Sequence, residues 1–117
     1  MKLSETQREF ARDLVYLKIH ILASGNEFTE GDSYRDPRVH GEYGVKGSYA
    51  SAMSGHKRRL AGDVNLFIDG EYQTTTEAHR PYGEYWKSLN PLNIWGGDFT
   101  YKGRPRPDGN HYERKHK

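Results

Sequence analysis

Apolar residues return at helical spacing near the start of the chain. Phe10, Leu14, Leu17 and Ile21 form one stripe, widened by Val15, Ile19 and Leu22. The pattern predicts a helix from Ser4 to about Leu22, with Ser4 and Gln7 as a capping box and Gly25 as its stop. His20 lies on the flank of the stripe and reads as structural. The next clear pattern is a strand from Gly62 to Asp69. Alternation places Val64, Leu66 and Ile68 on the face opposite Asp63, Asn65 and Phe67. Asp69-Gly70 is a turn signal, and Asp63 sits at the start of the strand, a rigid place for a ligand.

Beyond that turn the pattern is shorter. Thr74-Thr75-Thr76-Glu77 opens a polar stretch that His79-Arg80-Pro81 is expected to break. Tyr82 to Leu89 reads as a short helix with Tyr82, Tyr85, Trp86 and Leu89 on one side, ended by Asn90-Pro91. Ile94 to Phe99 is expected to lead into a last strand through Tyr101. Gly103 to Gly109 reads as a Pro/Gly loop, and Glu113 to Lys117 as a basic, frayed tail. Residues 28–55 are rich in Gly, Tyr and charge and read as loop with at most a short strand or turn. So long an irregular stretch in a small domain is unusual unless it lines a site.

These elements describe an α+β fold: one small domain spanning residues 1–117, its N-terminal helix packed on a short antiparallel sheet. At 117 residues and 33% hydrophobic content the core is modest, and 13% aromatics argue against disorder. A bound metal would add to folding free energy. Net charge is +2, mildly basic and not a nucleic-acid footprint. No run reaches transmembrane length, and MKLSETQREF lacks the apolar core of a signal peptide. The expectation is synthesis in the cytoplasm without stable membrane insertion. There are no cysteines, so a metal must use His, Asp or Glu.

Such an inventory exists. His56 precedes Asp63 in a His-x6-Asp spacing, and Asp108-x-x-His111 follows near the end of the chain. Catalytic zinc takes three protein ligands and leaves one position open, and a nearby carboxylate can shuttle a proton. Arg35, in Ser33-Tyr-Arg-Asp-Pro37, is either a donor to an oxyanion or substrate carboxylate, or a surface arginine paired with Asp32 or Asp36. Lys57-Arg58-Arg59 either meets an anionic polymer or substrate carboxylates, or is a solvated loop. Tyr34, Tyr43, Tyr49, Trp95 and Tyr112 are cleft walls or plain packing. His40 has no assignment, and His79 is the reserve ligand.

Ser54-x-His56-x6-Asp63, then Trp95-Gly96-Gly97-Asp98-Phe99, then Asp108-x-x-His111-Tyr112-Glu113 resembles the D-alanyl-D-alanine carboxypeptidase and L-alanyl-D-glutamate endopeptidase family. That family of zinc peptidases includes the vancomycin-resistance D,D-dipeptidase and small phage endolysins, and shares its zinc fold with the hedgehog signalling domain. The likeness runs from about Tyr34 to Glu113. It implies His56, Asp63 and His111 as zinc ligands, Asp108 as the catalytic acid/base and Arg35 as the oxyanion-stabilising arginine. Ser54 would orient the site. The implied activity is hydrolysis of peptidoglycan stem peptides by a monomeric enzyme with no separate wall-binding domain. The implied setting is a phage endolysin, made in the host cytoplasm and acting on the wall after release. A bacterial D,D-carboxypeptidase, a non-catalytic zinc-binding module and a phage structural protein are the alternatives.

Overall fold

Helix α1 covers Leu3–Ala23, close to the predicted span. Its apolar stripe faces inward, with Phe10, Leu17 and Ile21 buried and Leu14 packed against them. The capping box does not form. Lys2 is the N-cap and no side chain caps the helix there. At the other end Ser24 and Gly25 close the last turn onto the carbonyls of His20, Ile21 and Leu22, with Gly25 at φ +85°. The structure, a computed structural model, describes residues 2–31 and 60–116.

Strand β1, Glu27–Glu30, follows α1 directly. The predicted strand is β2, Ala61–Ile68, and the alternation holds: Val64 and Leu66 are each 1% exposed and Ile68 packs on the core. Asp69 and Gly70 both take positive φ in a tight turn to β3, Glu71–Tyr72, which returns along β2. Helix α2 then covers Thr76–Leu89. Strand β4, Asn93–Trp95, leads into a 3-10 turn at Gly96–Asp98. A hairpin of β5, Thr100–Tyr101, and β6, Arg104–Pro105, stands apart as its own two-stranded sheet. The chain returns as β7, His111–Arg114.

The main sheet is antiparallel and runs β1-β2-β7-β4. Strand β2 is its axis. One edge pairs with β1, and the other pairs with β7 through Ala61–Asp63 and with β3 through Phe67 and Ile68. Both helices cover one face of this sheet. Phe10 meets Trp86 edge-on at 5.6 Å, Trp86 meets Tyr112 at 5.8 Å, and His20 stacks on Tyr85 at 4.0 Å. His20 is therefore structural, as its position on the stripe predicts.

Three expectations are corrected. Helix α2 starts at Thr76, six residues earlier than predicted, and runs through Pro81. Thr75 caps it by accepting from the Ala78 N–H, and buried His79, Tyr82 and Trp86 hold its inner face. The strand through Tyr101 is not the last: it is only Thr100–Tyr101, set off from β4 by the turn at Gly96–Asp98, and β6 and β7 follow it. The tail is not frayed through His116. Arg114 is 2% exposed and is held by Asp13, Glu9 and Asn93, while His116 pairs with Thr6. A run of cations reads as solvated by composition, and only the acids of α1 reveal that one of them is buried.

Candidate metal and catalytic site

The register of β2 against β7 sets Asp63 opposite His111. Antiparallel partners share a face, so both side chains leave the sheet on the side away from the helices. They are buried there, Asp63 at 7% and His111 at 5% side-chain exposure. Asp63 Oδ1 lies 3.3 Å from His111 Nδ1. The other ring nitrogen, Nε2, lies 2.8 Å from Glu113 Oε1. Two residues along a strand return to the same face, which is how Glu113 reaches its own strand neighbour.

Both neighbours of His111 are hydrogen-bond acceptors. A neutral imidazole has one N–H and can satisfy only one of them. Burial opposes a charged ring, but the hydrogen bonds and charges of Asp63 and Glu113 outweigh it and raise the His111 pKa to about 9. With Nε2–H donated to Glu113, the Nδ1 lone pair faces the Asp63 carboxylate. That pairing calls for a cation between them, a proton or a metal ion. A histidine ligand whose far nitrogen is held by a carboxylate is the usual arrangement around zinc. Asp63 and His111 thus fit two places in a zinc donor set. Among the described residues, no group of three His, Asp or Glu is arranged to hold a metal. His56, the third expected ligand, lies outside the described residues, as do Arg35, Ser54, His40, Tyr34, Tyr43, Tyr49 and Lys57-Arg58-Arg59.

Asp108 is positioned by backbone. Its N–H donates to the Gly96 carbonyl at 2.8 Å, and its own carbonyl accepts from the His111 N–H at 3.1 Å. The Trp-Gly-Gly segment is the cradle for this turn. Trp95, fully buried, donates its indole N–H to the Gly109 carbonyl at 2.7 Å. A Cβ on Gly96 would come within 2.1 Å of the Asp108 carbonyl oxygen and 2.8 Å of His111 Cβ, so only glycine fits. Trp95 and Tyr112 are thus packing residues rather than cleft walls.

The exposed Asp108 lies on the wall of a polar cleft of about 300 Å³, together with Gln73, Thr76, His79 and Asn110. His79, the reserve ligand, is buried in this wall. Its Nε2 bonds the Gln73 carbonyl at 3.2 Å and therefore carries the proton. Burial lowers its pKa, against that bond and the nearby charge of Asp108, so the ring is neutral. Among the described residues its Nδ1 has no hydrogen-bond partner. Among the described residues His79 shares no hydrogen bond with the Asp63–His111 pair; it packs on Gly109 and seats the Asp108 turn.

No family model and no curated protein matches the chain.

Glu113 is the residue that sequence reasoning left without a role. Its signal was present as His-x-Glu in a strand, whose period of two puts both side chains on one face. The polar chain of Thr29, Asn65 and Asn110 was also missed. Asn65 donates to Thr29 and accepts from Asn110, tying β1 and β2 to the residue that precedes His111.

Proposed function

We propose that this chain is a zinc-dependent peptidase that cleaves peptidoglycan stem peptides, in the manner of a small phage endolysin. The fold would be that of the D,D-peptidase and hedgehog type. The observation that supports this most directly is the buried Asp63–His111 pair, 3.3 Å apart and backed by Glu113. A structural ion pair would not need His111 to face carboxylates through both nitrogens. Asp63 and His111 would hold zinc together with His56.

Bound zinc supplies Lewis acidity and lowers the pKa of water to roughly 7. The chain's own residues do the rest. Asp108, exposed at the cleft and anchored through Gly96, takes the proton of the attacking water and passes it to the leaving amine. Glu113 fixes the His111 ring and its tautomer. Arg35 would donate to the developing oxyanion, with Ser54 orienting the site.

The test is turnover of purified Gram-negative peptidoglycan, read by mass spectrometry beside metal content. The wild type should bind one zinc and release peptides. Asp108→Asn should keep zinc and lose turnover by about 10²–10⁴-fold. His111→Ala should lose both. Stoichiometric zinc without any cleavage would make the chain a binding module, and no zinc at all would overturn the ligand assignment.

A further inference from the structure

The hairpin β5–β6 takes no part in the chemistry above, yet it stands at the site. Phe99, just before β5, sets its ring 5.4 Å from that of His111. Arg106, just after β6, donates its N–H to the Phe99 carbonyl at 2.8 Å and is separated from Asp108 by Pro107 alone. The pairing Tyr101↔Arg104 continues that register, so Phe99, Tyr101, Arg104 and Arg106 share one face. Lys102 and Gly103 both take positive φ and form the tip.

Three cations gather there: Lys102, Arg104 and Arg106, all exposed. Among the described residues none of them forms an ion pair. Lys18, Arg80, Lys87 and Arg114 each have a carboxylate, while Lys2, Arg8, Arg12 and Lys115 are, among the described residues, likewise without one. What sets two of the hairpin cations apart is an aromatic platform. Lys102 Nζ and Arg106 Cζ lie 5.4 and 5.9 Å from the Tyr101 ring centre, and Tyr101 is itself 58% exposed. A ring orders a cation without neutralising it. Unpaired cations set on an aromatic ring, on a short two-stranded ribbon beside a reaction site, suit an anionic ligand. Guanidinium forks match carboxylates in particular.

We propose that this hairpin grips the carboxylates of an acidic peptide and so presents the peptide to the cleft. The patch is short, and Asp108 lies beside it. Both features favour a few spaced carboxylates over a dense phosphate polymer. That the gripped peptide is the substrate rests on the peptidase reading; the binding does not.

The experiment is fluorescence anisotropy of a labelled glutamate hexapeptide with the full chain. The triple variant Lys102→Gln/Arg104→Gln/Arg106→Gln is compared with Lys2→Gln/Arg12→Gln/Lys115→Gln, which removes equal charge from exposed positions elsewhere. The hairpin variant should bind about tenfold more weakly and the control within about twofold of wild type. Circular dichroism confirms that both are folded, and Arg104→Gln alone, weaker by about threefold, carries the comparison should the triple variant unfold. Equal weakening in both triples would reduce the effect to overall charge and overturn the proposal. So would a wild type that ignores the peptide, or that prefers a labelled oligonucleotide at physiological salt. On peptidoglycan the hairpin variant should raise KM and leave kcat unchanged. If wild type cuts nothing but binds the peptide through the hairpin, the peptidase reading fails and this surface stands. If it cuts normally with KM unmoved in the variant, the surface's role toward the substrate fails alone.

Discussion

His111 is the residue where the fold and the proposed chemistry meet, and its titration exposes that. Its pKa in the fold is raised to about 9 from an ordinary value of 6.5. A raised value means that the folded state holds a proton the unfolded chain would release. In the metal-free protein the resulting stability is complete below about pH 6.5 and is lost as pH rises through 9. Urea midpoints of the metal-free chain should therefore fall between neutral pH and pH 10, and His111→Gln should flatten that decline. On the proposed zinc reading a metal ion would compete for the same position, so its binding should release a proton and tighten over the same interval. Glu113→Gln should weaken zinc by about 10–100-fold without changing stoichiometry, measured by competition with a chelator. The pairing of Asp63 with His111 was legible only through the motif resemblance. Neither residue's own neighbours say which strand it will meet, because a register is fixed by contacts far apart in sequence. Glu113 went unassigned for the same reason, since its partner is named only once His111 is placed on a strand.

Among elements, α1 and β2 could be read almost whole. Each carries an uninterrupted apolar period, seen in the buried Phe10, Leu17 and Ile21 of α1 and the buried Val64 and Leu66 of β2. Helix α2 could be read only in its second half. Pro81 obscured the first, since it cannot donate to the Glu77 carbonyl and normally ends a helix. Here the cap at Thr75 and the burial of His79, Tyr82 and Trp86 override it. Gly83 adds to this, because its missing side chain lets the Trp95 indole lie against the helix. Pro81 is itself exposed. Pro81→Ala should restore the missing helical bond and stabilise the protein by about 1–3 kcal/mol, seen as a higher urea midpoint with zinc binding unchanged. The Trp-Gly-Gly segment read as the approach to a strand. Its actual work is to seat a turn from another part of the chain, and no local signal announces that.

Across the whole molecule the helices and the Asp63–His111 pair lie on opposite faces of one thin sheet, while Asp108 shares its cleft with the first turn of α2. No helix among the described residues is long and apolar enough to cross a membrane. What joins the first helix to the last strand is the buried network around Arg114. Its guanidinium bonds Asp13 at 2.6 Å, Glu9 at 2.8 Å and Asn93 at 2.6 Å, and Asn93 in turn donates to Asp13 and to the Trp86 carbonyl. Removing one partner leaves a buried charge uncompensated. Arg114→Met should cost about 3–5 kcal/mol in urea unfolding, and Asp13→Leu/Arg114→Met should recover much of it. The network also sets an order of events during synthesis. Glu9 and Asp13 leave the ribosome with α1, but their guanidinium follows about a hundred residues later, on the strand that also carries His111. Until β7 emerges, α1 has acids facing a core that cannot close, and β2 has a bare edge where β7 belongs. A nascent chain halted before His111 should stay protease-sensitive, and synthesis of β7 should complete the fold and set His111 against Asp63 in one step.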